Sequence, residues 1–363
     1  MDSVTLKKRL LFTSLGIVLS VLVIILISPR SSYAKDLSQK ISLAYVDSKK
    51  SDMPDPYLFT HLIYAFGVFN DDNDKVIIPT PDKLRYMSKL KEKNPKLKVI
   101  LGIGGYKREG FSEMCRDKKK RASFVKSCKD VITKFNLDGI DLDWELPGTE
   151  AGGHTACPQD AHNYGLLVKN LRKSLGKGKW ISFYSNNSGK YIDFDKMLPY
   201  VDYVNVSGYN LSLTKDKTKL YHQCPLYPSW QYGTWCVSKS IKKHLELGIP
   251  ANKILLGIPF FGRGRFPFKS YQECITLDDT LKKNSNSIDL CWDDEAKVPY
   301  YRDKEGNLVL GFEDERSIGY KCDFIREQGL AGAFVWHYDS DYKDHRLAKK
   351  LREGMKAQDI KGE

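Results

Sequence analysis

Short apolar runs bounded by Gly, Pro, Asp or Asn recur along the chain, with amphipathic stretches between most of them. The runs are ISLAYV, THLIYAFGVF, KVILGIGG, GIDLDW, WISFYS, VDYVNVSGY, KILLGIPFFG and GAFVWHY, spread between Ile41 and Tyr338. Each has the length and the β-branched and aromatic content of a buried strand. Between them, PDKLRYMSKLKEKN, KKRASFVKSCKDVITKF, AHNYGLLVKNLRKSLG, SKSIKKHLELG and ERSIGYKCDFIREQG repeat apolar residues at helical spacing. Strands alternating with helices imply parallel pairing through right-handed crossovers. Eight such units close a (β/α)8 barrel, an α/β fold whose active site lies at the carboxyl ends of its strands.

The rhythm breaks from Gly264 to Leu310, where aromatics, two cysteines and the hairpin-like VPYYRDKEGNLVLGF, with Glu305-Gly306-Asn307 at its turn, replace the strand–helix alternation. This predicts a small α+β insertion after the seventh strand, inside one barrel domain over 35–363. The chain has 363 residues, a length that suits one barrel with insertions.

Residues 1–34 differ from everything after them. Lys7, Lys8 and Arg9 precede an uncharged run from Leu10 to Ser28, then Pro29 and a Ser32-Tyr33-Ala34 site with small residues at both positions a signal peptidase reads. The run exceeds an ordinary signal core and could just cross roughly 30 Å of hydrocarbon. Either a cleaved signal peptide or a retained signal anchor is expected, and both place the rest of the chain outside the cytoplasm, secreted or facing a lumen or the exterior. Cys115, Cys128, Cys157, Cys224, Cys236, Cys274, Cys291 and Cys322 all follow this segment. Their even number predicts disulfides, with Cys224–Cys236 and Cys274–Cys291 as local pairs, while buried thiols remain the alternative. The net charge of +13 comes from scattered lysines on solvated helix faces, so no nucleic-acid partner is expected.

The chemistry concentrates in FNLDGIDLDWELPG, Phe135 to Gly148, which holds Asp138, Asp141, Asp143 and Glu145. Side chains alternate along a strand, so Asp141, Asp143 and Glu145 share one face, each about 6.5 Å beyond the last. Ile140, Leu142 and Trp144 take the other face, under the helices, and Asp138 falls out of phase at or before the strand's start. Three acids stacked in a barrel cannot all ionise, since like charges and burial both raise a carboxyl pKa. Glu145, outermost, is placed to give a proton to a leaving group, with Asp143 passing charge and hydrogen bonding behind it. Acids at alternate positions could instead ligate a hard cation, but no His stands nearby and Trp144 and Pro147 offer no further ligand. A purely structural acidic strand would carry unpaired buried charge at a cost in stability. A sugar-binding barrel without catalysis is the third alternative.

The D-x-x-D-x-D-x-E spacing of Asp138, Asp141, Asp143 and Glu145 resembles the signature of family 18 glycoside hydrolases, the chitinases and their relatives. THLIYAF, LGIGGY followed by FSEMCRDKKKRASFVKS, CPLY, LELGIPANKILLGIPFFGR, GFEDERS and GLAGAFVWHYDSD resemble family segments in family order, covering Ile41 to about Leu351. The resemblance implies a (β/α)8 barrel and retaining hydrolysis of chitin or chitooligosaccharides, with endochitinase-type action expected. Glu145 would protonate the glycosidic oxygen while the substrate's own N-acetyl oxygen attacks the anomeric carbon. Asp143 would steady the resulting oxazolinium ion, Asp141 would share the proton behind it, and Tyr209 would contact the acetamido group. Trp336 would form the apolar floor under the sugar, Tyr45 and Phe66 would close the pocket, and Gly105, Tyr106, Asn210 and Arg263 would line the groove, with Asp138 supporting the motif.

Against the family pattern, Gly102 stands for a serine, Ser207 for a methionine, Phe261 for a tyrosine, Tyr106 for a tryptophan, and Leu146 for Tyr or Phe. These departures suggest altered subsites. Two alternatives accompany the resemblance: a lectin-like chitin binder with little turnover, and an endo-β-N-acetylglucosaminidase acting on N-glycans. No metal and no cofactor are implied. The expected partner is an N-acetylglucosamine-containing glycan, the membrane is met only through an uncleaved N-terminal segment, and the protein is expected to be a monomer.

Overall fold

The computed structural model describes residues 39–50, 52–212, 219–265, 269–276 and 288–356. The expected signal segment, residues 1–34, lies outside the described residues. Among them no helix is long and apolar enough to cross a membrane.

All eight predicted barrel strands form: β1 Ile41–Asp47, β2 His61–Phe69, β4 Lys98–Gly104, β5 Gly139–Asp143, β6 Trp180–Ser185, β7 Tyr203–Val206, β8 Ile254–Pro259 and β14 Gly332–Trp336. They pair in parallel in the order β1-β14-β8-β7-β6-β5-β4-β2, and β1 pairs with β2 to close the ring. A two-residue strand, β3 Val76–Ile77, adds antiparallel to the end of β2.

Closure divides the apolar residues into two layers. Leu43, Tyr45, Ile63, Ile100, Leu255 and Phe334 pack inside the ring, while Ala44, Leu62, Leu101, Ile140, Leu142 and Val335 face the helices. Period-two alternation along each strand produces this division. Helices α1 Pro81–Lys93, α3 Lys118–Lys134, α4 Asp160–Leu175, α6 Val237–Glu246 and α8 Glu315–Glu327 stand where the periodicity predicts them. The sequence reading omitted α2 Phe111–Arg116, the four-residue α5 Phe194–Met197 and α9 Arg346–Met355. The first two are too short to show a helical period. Asp117 caps α3 by accepting from the backbone N–H groups of Lys119 and Lys120.

The insertion is a five-stranded antiparallel sheet of order β10-β9-β13-β12-β11, built from β9 Phe261–Gly264, β10 Lys269–Ser270, β11 Asp289–Asp293, β12 Val298–Arg302 and β13 Leu308–Gly311, with α7 Tyr271–Ile275 after β10. Its first strand begins at Phe261, inside the run read as a single barrel strand. β8 ends at Pro259, whose ring supplies no N–H to continue the ladder. Backbones then approach closely: a Cβ on Gly264 would lie 1.9 Å from the Val309 carbonyl oxygen. The expected hairpin joins β12 to β13, with Gly306 at φ 82° in its turn.

Neither expected disulfide forms; the eight cysteines are thiols. Cys224 lies in the inner cluster with its Sγ toward the Phe312 carbonyl at 3.6 Å, whereas the Sγ of Cys236 meets the Ser238 hydroxyl at 3.3 Å. Cys274 is buried under β9, where a Cβ on Gly262 would come within 2.5 Å of its Sγ, while Cys291 sits half-buried on β11. For the second pair, β13 and β12 lie between β9 and β11 in the sheet, so nearness in sequence does not bring the two thiols together.

Candidate active site

The alternation of β5 delivers its carboxylates to the barrel interior. Asp141 is level with Gly102 on β4 and Ser182 on β6. Fully buried, it accepts hydrogen bonds from the Ser182 hydroxyl (2.6 Å), the Tyr45 hydroxyl (2.8 Å) and the Asn205 amide (2.9 Å). The Asn205 amide also donates to the Tyr45 hydroxyl at 3.0 Å, tying β1, β5, β6 and β7 together. Burial pushes the Asp141 pKa up to about 6, and the three donors hold it from rising further.

Asp143 follows one layer higher. It is buried, and its Oδ1 has no hydrogen-bond partner among the described residues. Burial raises its pKa well above the usual carboxyl value, and the charges of Glu145 and Asp141 raise it further. Glu145 lies just past the end of β5, partly buried, where burial pushes its pKa up to about 7 while His154 acts in the opposite sense. The His154 Nε2 sits 2.6 Å from the Glu145 carbonyl oxygen, which can only accept, so the ring donates there and braces the loop behind the acid. On the outer face of the same segment, Trp144 stacks on Phe111 with ring centres 5.0 Å apart and 6° between planes, and it meets the edge of Tyr164.

An aromatic wall surrounds the acids. Trp336, the last residue of β14, stacks on Phe66 at 5.7 Å and 16°, and its ring lies 5.5 Å from that of Tyr45. Tyr209 is buried against Phe261 and Phe334; burial raises its pKa, and Tyr184, Asp143, Glu145 and Asp141 raise it further. Gly105 donates its N–H to the Asp143 carbonyl at 2.9 Å, and its missing Cβ leaves the Phe66 ring the space it occupies. Asn210, with φ 60°, accepts from Arg263 at 2.7 Å, while Tyr106 is exposed at the rim.

Asp138 lies at the other end of the barrel. It accepts from the Val99 N–H at 2.9 Å and pairs with Lys91 at 3.1 Å and Lys98 at 3.4 Å. Burial would raise its pKa, but these donors outweigh burial and hold it below the ordinary carboxylate range.

Ser182, Tyr184, Asn205 and His154 were missed from the sequence. Tyr184 faces the acids from β6: burial raises its pKa first, then the charges of Glu145 and Asp143, against a hydrogen bond with Ser207. The available signal was a polar residue on alternate positions of an apolar strand, Ser182 and Tyr184 in WISFYS and Asn205 and Ser207 in VDYVNVSGY. Among the described residues no three His, Cys, Asp or Glu side chains converge as a metal-holding group.

Of the departures, Gly102 has a packing reason. A Cβ there would meet the Ile63 side chain at 2.7 Å and the Phe66 ring at 3.0 Å. Ser207 directs its hydroxyl toward the Tyr209 carbonyl at 3.3 Å.

The sequence profile of glycosyl hydrolases family 18 matches residues 41–341. The chain belongs to this family. Among its family 18 relatives, chitinase A1 from Niallia circulans is 29% identical over 338 residues, an alignment that spans 82% of this chain and 47% of the relative. An endochitinase from Manduca sexta is also 29% identical, over 78% of this chain and 58% of its own length. This chain thus spans about half the length of these relatives. Among solved structures, a family 18 N-acetylglucosaminidase from Paenibacillus barengoltzii superposes with a TM-score of 0.77 at 27% identity, covering 87% of this chain and 99% of that one.

Proposed function

We propose that this family 18 barrel is a chitinase that hydrolyses β-1,4 bonds between N-acetylglucosamine units with retention, using Glu145 as acid and then base. The observation that carries the reading is Asp143, buried between Glu145 and Asp141 with an Oδ1 that no group among the described residues satisfies. A buried acceptor left without a donor is costly, and a ligand N–H supplies one. An N-acetyl sugar has that N–H, and its carbonyl oxygen is a nucleophile of its own. Such substrate-assisted chemistry lies outside the scheme of two carboxylates acting as acid and nucleophile.

In this mechanism the protonated Glu145 gives its proton to the glycosidic oxygen as the acetamido oxygen bonds to the anomeric carbon. The bond to the leaving sugar breaks, and an oxazolinium ion forms. Asp143, accepting from the acetamido N–H, faces the positive charge. Asp141 and its three donors take up the change in proton sharing as Glu145 ionises. Glu145 then removes a proton from water, whose oxygen bonds to the anomeric carbon as the bond from that carbon to the acetamido oxygen breaks, which returns the acetamido group and the protonated acid. Trp336, Phe66 and Tyr45 offer apolar faces to the sugar's C–H groups, and Tyr209 stands beside the acids where the acetamido group would lie. The relatives named chitinase support the substrate class.

The test is release of chromophore from a chitobioside by the wild type and by Glu145→Gln. Loss of a placed general acid should slow the reaction by about 10²- to 10⁴-fold. Equal rates refute the assignment. A cellobioside, which lacks the acetamido group, should not be cleaved at a measurable rate, whereas comparable cleavage of both substrates removes the substrate-assisted step. The same reading takes residues 1–34 as an export signal. N-terminal sequencing of protein recovered outside producing cells checks it, and a mature chain starting at Lys35 is the outcome expected for a cleaved peptide.

A further inference from the structure

The loop that follows β5 folds back over its own start, and one imidazole holds it there. His154 is 6% exposed, and both of its ring nitrogens face carbonyl oxygens: Nε2 lies 2.6 Å from that of Glu145 and Nδ1 lies 3.0 Å from that of Thr155. A carbonyl oxygen only accepts, so each contact is a hydrogen bond only where the nitrogen carries a proton. A neutral imidazole has one N–H and one bare nitrogen. In either tautomer a ring lone pair would point at a carbonyl lone pair, in a place that little water reaches, and a buried acceptor left so is costly. Turning the ring over would put carbons where the nitrogens stand and would make neither bond. Only the imidazolium, donating from both nitrogens, satisfies the geometry.

The charges around the ring suit a cation. Glu145 lies at one carbonyl of the pair. At the other, the Thr155 N–H donates to Glu109, on the loop after β4, at 3.0 Å. The loop itself carries Glu150, and Asp160 at the start of α4 holds it from behind, accepting from the Gly148 N–H at 3.1 Å and the Cys157 N–H at 2.8 Å. Lys107 and Arg108, exposed on the loop after β4, oppose these acids, and the Lys107 side chain lies along Gly153, where a Cβ would come within 3.1 Å of it. The acids outnumber the bases, so one buried positive charge is balanced by its neighbours.

We infer that His154 is a positioning residue for Glu145: as an imidazolium it clamps the Glu145 and Thr155 carbonyls together, fixing the backbone of the acid and keeping one positive charge beside it. That charge acts on Glu145 in the sense opposed to burial. Once the acid has given its proton to the leaving sugar, the imidazolium steadies the carboxylate left behind. The effect on catalysis rests on the role proposed for Glu145 above, whereas the clamp itself does not.

The experiment labels the full chain with ¹⁵N-histidine and follows the ring signals at about pH 7.5, where an unperturbed imidazole is mostly neutral. The chain has seven histidines, and the set of signals that vanishes in His154→Gln belongs to His154. His154→Lys gives the same assignment should the Gln variant not fold. Protons on both nitrogens of that ring are the expected result, and a bare nitrogen overturns the inference. Kinetics separate the charge from the brace. His154→Gln keeps an amide donor but no charge, while His154→Lys keeps a charge that can donate to both carbonyls. The ratio of chitobioside kcat/KM at about pH 8 to that at about pH 6 should rise roughly 3-fold or more in His154→Gln and stay within about twofold of the parent in His154→Lys. An unchanged ratio in a His154→Gln protein that melts cooperatively also overturns the inference. If the wild type fails to cleave chitobioside while both ring protons are present, the clamp stands and the catalytic assignment alone falls.

Discussion

The two ends of β5 carry the same side chain in opposite electrostatic conditions. At the lower end Asp138 meets two lysines and a backbone N–H and is held as an anion. Five residues on, Asp143 meets burial and two other acids, and it is driven toward its protonated form. Both are aspartates of one motif, one just before β5 and one at its last position. The difference teaches that a signature gives residue types and positions, while the neighbouring strands and helices decide whether an acid serves as an ionic clamp or as a holder of protons. Position along the barrel axis separates the two roles.

The comparison can be broken most directly at Asp143. Asp143→Asn keeps the shape but removes the charge that faces the developing cation, and kcat on chitobioside should fall by about 10²-fold or more. A change of less than threefold would make Asp143 a spectator. Next is pH. Catalysis requires a protonated Glu145, whose folded pKa is about 7, so kcat/KM should decline above that pH, tenfold per unit once well past it. His154 opposes the rise in the Glu145 pKa, so His154→Ala should move the declining limb to higher pH. A limb that does not move means that His154 acts only on the loop.

Stability should depend on pH in opposite directions at the two ends. Glu145 has a folded pKa raised above its unfolded value, so its contribution is largest below the unfolded pKa, falls as pH rises from about 4.5 to about 7, and is level beyond that. Asp138 has a folded pKa below its unfolded value of about 3.8, so its contribution is full above that value and is lost as pH falls through the folded pKa. The smallest effect on rate belongs to Asp138→Asn. Chitobioside turnover should stay within about twofold, while urea unfolding at neutral pH should report a loss of about 1–3 kcal/mol, since Lys91, Lys98 and the Val99 N–H lose their anionic partner. A large loss of rate with unchanged stability would reverse the roles given to the two ends.

The barrel was legible because each strand is a short apolar run and each long helix has a clear period. The same alternation showed that Asp141, Asp143 and Glu145 share a face. The donors around Asp141 were harder to read. Tyr45, Ser182 and Asn205 come from three strands far apart in sequence, and only ring closure brings them onto one carboxylate. His154 lies in a loop with no periodicity, so nothing local ties it to Glu145. The cysteine reading failed for a related reason: it relied on distance along the chain, whereas packing against the barrel decides where each thiol points.

The alternating packing of β5 constrains how this site can change over evolutionary time. Its outward residues are keyed into Phe111 and Tyr164, and its inward ones into the acid cluster. Deleting one residue within the strand would swing Trp144 and its outward neighbours into the cavity and thrust the carboxylates among the helices. Diversification of the catalytic strand is therefore restricted to replacements in place, while gains and losses of length are left to the surrounding loops.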